Sequence, residues 1–560
     1  SEEMRSTETD SAAAARAQSQ LGAFGYSASL ASASQGSTTI ENEVLELTID
    51  NKGGYISEAR LKGFKTYDSI PVHLIKNGNA HFNLNFSTTD GRTLNTKDLY
   101  FEPTLSKNGE NTILSMKLKV SENEFLEYRY VLKPDDYMLD FVVRSQGLKD
   151  VFSTSDPVEL EWTLKGYRHA KSISYESRYT EIRFEYEDGN DDYVSANGEE
   201  EEKDITYVAY KQHFFTSILL TDTPFESGLF ISKDLVEDEE VDTVYTKAFA
   251  SSMPLQLKGG ELNYNMNWYY GPSDYEILNN YDRNLDEIMP LGWGIFGWIN
   301  KHVIIPFFGF LTNYMGYGLA IIFMTIAIKI VLSPVQYKQY VSQAKMKVLR
   351  PEINELNEKF KDNPMKKQQE TMKLYSKAGA SPMSGCLPAL LQIPVFYALF
   401  QFFPSAFELR QKGFLWADDL SSYDTIAQLP FKIPFYGDHV SLFPILASVA
   451  MLIYMMMTTG QTMQTQQPGM PNMKFIMYLS PIFMLFFFNN YASGLSLYYF
   501  TSNLITIFLV LIIKNFIIDE DKIHAKIQEN KKKPKKQGKF AKKMQDLMEQ
   551  AEQQQKAKKK

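Results

Sequence analysis

Five stretches between residues 316 and 513 are apolar over lengths close to the ~20 residues a helix needs to cross the hydrocarbon of a bilayer. They are Gly316 to Val335 (GYGLAIIFMTIAIKIVLSPV), Cys386 to Phe407, Ser441 to Thr459, Lys474 to Phe488, and Gly494 to Ile513. The fourth is the shortest. Runs of this kind point to a bundle of five transmembrane helices, whose two ends lie on opposite sides of the membrane. The preceding stretch, 290–315, carries Lys301, His302 and Pro306 among its aromatics and reads as an amphipathic helix lying in the interface.

The front half obeys a different rule. From residue 39 to about 285, segments such as VLELTID, ILSMKLKV, EFLEYRYVL and VELEWTL alternate apolar and polar residues between Gly, Asn and Asp turns. Period-two alternation rich in Tyr, Phe, Val and Thr predicts a large antiparallel β-sandwich. Residues 1–38 are small and polar and read as a flexible linker, while Glu187 to Asp204 (EDGNDDYVSANGEEEEKD) reads as a solvated acidic loop. Neither carries chemistry. Residues 1–38 lack a signal-like apolar core, so if the β-domain is exported a targeting segment is expected upstream of Ser1.

The net charge of −9 averages an acidic front half with a basic tail, so only local charge bears on partners. Lysine and arginine collect in 336–385, after the first apolar run, and again in the tail, 519–560. The positive-inside rule puts both in the cytoplasm and the β-domain outside. Within 336–385 two helix-forming segments flank a turn at Asn363 and Pro364, predicting a cytoplasmic helical hairpin with too little apolar surface for a core of its own. It is read as a mobile element touching headgroups or a transient partner, or as a plain charged spacer. The single cysteine, Cys386, excludes an intrachain disulfide, and the scattered histidines show no metal-ligand spacing.

Polar residues inside the apolar runs are few. Thr325, Lys329 and Ser333 are spaced four apart and share one helix face; Gln392 lies in the second run, and Ser496, Thr501, Ser502 and Asn503 in the last. An ammonium at bilayer depth costs about 3 kcal/mol on insertion scales and demands water or a partner. The stripe allows a hydrated groove inside the bundle; snorkelling of Lys329 to the headgroups is the competing reading. A transporter or channel, the alternative function, would want paired ionisable groups across several spans, and Lys329 has no carboxylate partner at depth. No nucleophile–base or metal pair suggests an intramembrane enzyme.

The runs KMKVLRPEINELNEKFKDN, ETMKLYSKAGASPMSGCLPALLQIPVFYALFQ, AFELR and SGLSLYYFTSNL, with WYYGPSDYEIL before them, resemble the YidC family of membrane protein insertases over most of residues 40–517. The resemblance implies a multi-domain architecture: a periplasmic antiparallel β-supersandwich, then an α-helical membrane bundle of five transmembrane helices with the cytoplasmic hairpin, in the bacterial inner membrane. It implies a hydrophilic groove, open to cytoplasm and lipid and sealed outside, that moves polar segments of nascent membrane proteins across the bilayer without nucleotide hydrolysis, catalytic residue, metal or cofactor. The family's anchor helix, which precedes its β-domain, is not in this sequence. Its outer domain shares a shape with sugar mutarotases, which implies no catalysis.

By the same resemblance Lys329 stands where bacterial members carry a groove arginine, keeping the charge but losing the planar fork. Thr325 and Tyr499 match substrate-contacting positions and Gln392 a groove-lining one; Ser333, Tyr498, Ser502 and Asn503 complete the expected groove set. Implied partners are nascent membrane proteins, the ribosome, membrane lipids and, as a further candidate, the Sec translocon. In the tail, Lys531, Lys532, Lys533, Lys535, Lys536, Lys542 and Lys543 are the candidate contacts to ribosomal RNA or to anionic lipid, on a segment read as disordered until bound.

Overall fold

The computed structural model describes residues 12, 15–380, 387–459 and 473–532. The chain divides into two compact units, Ser1–Pro290 with Ser405–Gln411, and Leu291–Pro404 with Lys412–Lys560.

The first unit is all-antiparallel β. A four-stranded sheet runs in chain order through Ser37–Glu41, Leu45–Asp50, Ile56–Lys65 and Pro71–Ile75. A thirteen-stranded sheet has Val158–Tyr167, Tyr245–Leu255, Phe215–Asp234 and Asn263–Pro272 as consecutive neighbours at its centre. Alternation in sequence becomes alternation in burial: Leu45, Leu47 and Ile49 are fully buried while Glu46, Thr48 and Asp50 are only partly covered. One core joins both sheets, centred on aromatics. Trp162 stacks on Tyr210 at 3.7 Å between ring centroids and meets Trp268 edge-on at 5.0 Å.

Two expectations fail here. The linker reading of 1–38 does not hold over its second half, because Gly22–Ser29 forms a 3-10 helix and Phe24 enters the core against Phe86 at 5.3 Å. One aromatic anchors a stretch that composition alone called unstructured. The acidic insert is likewise not a loop: Asn190–Val194 and Gly198–Lys211 are strands, the latter paired from Gly198↔Ser232 to Lys211↔Thr216. Backbone pairing is indifferent to side-chain charge when the charged residues stay in water, and Glu199 to Glu201 are exposed.

The segment Ser405–Gln411 belongs to this unit. The Phe407 ring lies 5.5 Å from Phe64 and 5.8 Å from Phe215, and the Arg410 guanidinium sits 4.8 Å over Phe215 while donating to the Lys65 carbonyl at 2.5 Å. Beside them, burial and the neighbouring Asp274 and Glu276 push the Glu408 carboxyl up to about 7. A carboxyl raised above its free value favours the docked segment at low pH, and that stabilisation is lost as pH rises from about 4.5 through 7. Glu408→Gln is therefore expected to tighten the segment by about 1–3 kcal/mol at pH 8 and to leave it unchanged at pH 4. Hydrogen exchange of the Leu409 and Arg410 amides measures this; equal protection at both pH values refutes it.

In the second unit, helices occupy each apolar run. We label them α1 (Ile295–Thr312, with a π-helical turn over Asn300–Ile304), α2 (Tyr317–Val348), α3 (Arg350–Lys359), α4 (Pro364–Ala378), α5 (Leu387–Ser405), α6 (Leu442–Thr459), α7 (Met473–Phe488), α8 (Ser493–Ile512) and α9 (Glu520–Lys532). Among the described residues three stretches are long and apolar enough to cross a membrane: Ile295–Thr312, Tyr317–Val348 and Ser493–Ile517. The first of these was expected to lie in the interface; by length and composition it could also span.

Helix α2 does not stop at Val335 but continues through Pro334 to Val348. Proline removes the N–H that would bond the carbonyl of Ile330, and the hydroxyl of Ser333 donates to that carbonyl at 2.7 Å instead. The basic segment after it is not a free hairpin either. Leu349, Ile353, Ala378 and Ala380 form a small core closed by Ile527 of α9, which is fully buried. Lys531 of α9 reaches both oxygens of Glu352 at 2.6 and 2.7 Å, and Lys347 pairs with Glu520. The missing apolar surface is supplied by a helix distant in sequence.

Candidate functional site

Helix α8 packs against both α2 and α6, and its polar residues meet those of α2 inside the bundle. Lys329 is only 6% exposed. Its Nζ donates to Thr506 Oγ1 at 2.9 Å, and Thr506 Oγ1 in turn donates to the carbonyl of Ser502 at 2.7 Å. The side chain therefore turns inward to α8 rather than running along α2 toward a helix end, and among the described residues no carboxylate pairs with it. One turn away, Thr325 is fully buried and bonds its own helix at the Ile321 carbonyl, 2.7 Å.

Ser333, the third member of the stripe, is not brought to this cluster. It is partly exposed and committed to the carbonyl opened by Pro334. From α5, Gln392 Nε2 lies 3.4 Å from the hydroxyl of Tyr498, itself fully buried. Tyr499 packs between Phe396 and Phe488, each at 5.4 Å, and Asn503 Nδ2 approaches the Ala447 carbonyl of α6 at 3.4 Å. Ser502 is buried, and its carbonyl anchors Thr506.

Several buried polar atoms around these residues have no partner among the described residues: the Tyr499 hydroxyl, Ser496 Oγ, Ser448 Oγ of α6 and Gln336 Oε1 of α2. An unsatisfied hydroxyl away from water costs about 1–3 kcal/mol, so these atoms are donors and acceptors that water or a polar chain can satisfy. Thr506 is the residue that sequence reading missed. Its signal was present, since it follows Ser502 by four and thus continues the polar face of α8.

A second feature without an obvious sequence signal closes the bundle at the start of α6 and α8. Asp424 Oδ2 accepts from the Leu442 and Phe443 amides at 2.7 and 3.1 Å and from Trp416 Nε1 at 2.9 Å, capping α6. Asn489 Nδ2 donates to the carbonyls of Tyr436 and His439, and the amides of Ser493 and Gly494 at the head of α8 bond the carbonyls of Ser422 and Leu420. A Cβ on Gly494 would stand 2.9 Å from the Phe403 ring and 3.0 Å from the Leu420 oxygen. These loops hold the helix heads together through many fixed hydrogen bonds, the Ser441 hydroxyl to the Asp424 carbonyl at 2.6 Å among them, although Asp424 Oδ1 and Thr425 Oγ1 have no partner among the described residues.

Of the tail residues named from sequence, Lys531 is occupied by Glu352, with its side chain only 21% exposed, and Lys532 is exposed at the end of α9. Lys533, Lys535, Lys536, Lys542 and Lys543 lie outside the described residues.

Two family models match successive parts of the chain: a YidC periplasmic domain over residues 37–305 and a 60Kd inner membrane protein over residues 308–524. A membrane protein insertase YidC of Parabacteroides distasonis is 40% identical over 98% of this chain and 89% of its own length. One from Porphyromonas gingivalis is 37% identical over 94% of this chain and 87% of its own. A solved structure of an active YidC insertase aligns over 87% of this chain and 93% of its own at 18% identity, with a TM-score of 0.35, so the kinship rests on the sequence relations. On those relations, and with a β-sandwich preceding an apolar helical bundle, the chain belongs to the YidC family of membrane protein insertases.

Proposed function

We propose that this protein is a membrane protein insertase that lowers the cost of carrying polar segments of newly made membrane proteins across the bilayer, using the polar interior of α2, α5, α6 and α8. The observation that carries this reading is a lysine held inside an apolar bundle by one hydroxyl, with unpartnered buried hydroxyls nearby. A hydrated, cation-bearing recess replaces part of the solvation that a polar or acidic segment loses on entering hydrocarbon. No nucleotide is consumed in this scheme.

In this reading α2, α5, α6, α7 and α8 are the five spans, α1 lies at the interface, and the β-sandwich faces the periplasm. The density of lysine in α3, α4 and the tail supports their placement in the cytoplasm. The closed end around Asp424 and Asn489 then faces outward and the polar interior opens inward. The lysines of the tail beyond Lys531 are the contacts for ribosomal RNA or anionic lipid, and a Sec translocon is a further partner.

The test is reconstitution in vesicles with a small single-span substrate and no ATP. Insertion above that of protein-free vesicles is expected, together with crosslinks from photoreactive residues at Thr325 and Tyr499 to a stalled nascent chain. Equal insertion in empty vesicles refutes the reading, and solute flux in its place indicates a transporter.

A further inference from the structure

We infer that Thr506 is the positioning residue that fixes the Lys329 ammonium in the bundle interior and thereby sets a preference for incoming segments that carry carboxylates. The inference rests on the insertase reading above and deepens it. The argument begins with hydrogens. A threonine hydroxyl has one proton, and that of Thr506 goes to the Ser502 carbonyl one turn earlier, at 2.7 Å. What the hydroxyl presents to Lys329 is therefore a lone pair, and the 2.9 Å contact has only one polarity: the lysine donates. The β-branched side chain, buried and held by its own helix, has little rotational freedom with which to follow a moving lysine.

This matters because of what lysine is. Its ammonium rides on a flexible four-carbon stem and, unlike a guanidinium, has no planar fork to define a direction of approach. With no acceptor inside the bundle, the same stem would carry the charge along α2 toward water. Thr506 supplies that acceptor and takes one of three N–H donors, and no other acceptor bonds Nζ among the described residues. Two donors are left, the number that the two oxygens of a carboxylate, or one oxygen and a water, can use. A placed point charge with two free donors discriminates carboxylate from amide by charge, where a guanidinium would also discriminate by shape.

The experiment uses the full protein in proteoliposomes and two single-span substrates identical except for aspartates or asparagines in the translocated segment. The quantity read is the ratio of their insertion rates. Thr506→Val and Thr506→Ala are each expected to lower the acid-to-neutral ratio about tenfold, the loss of one hydrogen bond to a charged group. Thr506→Ser, which keeps the acceptor, should retain the wild-type ratio. A ratio unchanged in valine and alanine overturns the inference, as does an equal loss for both substrates, which marks a merely structural threonine. If wild type shows insertion but no acid preference, the role of Lys329 falls and the inference with it; if wild type fails to insert either substrate, the insertase reading itself is wrong.

Discussion

Replacing Lys329 by alanine is expected to slow insertion of substrates with acidic translocated segments by 30-fold or more, on the order of 2–3 kcal/mol for a charge-assisted hydrogen bond, while Lys329→Arg retains most of the rate. The argument is electrostatic. At the position of Nζ, 2.9 Å from Thr506 on a side chain buried in the bundle, an arriving carboxylate meets a cation that has no internal counter-charge among the described residues. Arginine preserves the charge and adds a second donor edge. Alanine removes both, and the arriving carboxylate is left with hydroxyls alone. The same substitution should raise the thermal stability of the helical unit, because a buried ammonium with a single neutral protein partner is a standing cost to the fold. Loss of activity with gain of stability is the signature of a residue retained for function. If alanine inserts acidic substrates as well as lysine does, the cation is a passenger, and rates measured in proteoliposomes decide between the two.

The second large effect is expected in the β-unit, where Trp162→Ala should destabilise the sandwich by about 3–5 kcal/mol. Trp162 is 2% exposed, lies at 15° to the Tyr210 ring, and contacts Trp268 on its edge. Its carbonyl also accepts from the Tyr210 hydroxyl at 2.7 Å, so the two residues are tied through backbone as well as ring. Truncation leaves a cavity between aromatics that cannot collapse, since each is fixed by its strand pairing, Trp162 to Ser251 and Phe82 and Tyr210 to Ser217. Urea unfolding of the purified protein, followed by near-ultraviolet circular dichroism, gives the change. A loss under 1 kcal/mol would mean that the core closes over the gap.

Much of this was legible before any coordinates. Alternation from Val44 onward marked the strands, because a half-buried sheet writes its two faces directly into the residue order. The misreadings share one physical origin: a contact distant in sequence overrides local composition. Phe24 orders a polar stretch only because Phe86 is there to receive it. The acidic strand Gly198–Lys211 forms because Phe215–Asp234 offers backbone partners along its length. The first apolar run was ended at Val335 although the helix continues through Pro334, and the neighbouring serine that repairs the ladder was assigned to the polar stripe instead. At the site, the face spacing picked out Thr325 and Lys329, but the depth of the ammonium was decided by a hydroxyl on α8 that no local pattern on α2 could announce.

The seating of α9 bears on how the basic end of the chain should be dissected. Trimming back to Ile518 would strip Ile527 from its socket and leave Leu349 and Ile353 bare, so a defect in such a deletion would report a damaged helical cluster as much as a lost ligand. Cutting after Lys532 spares the Glu352 clasp and removes the lysine-rich segment beyond it. Comparing the two deletions separates an architectural strut from an electrostatic tether.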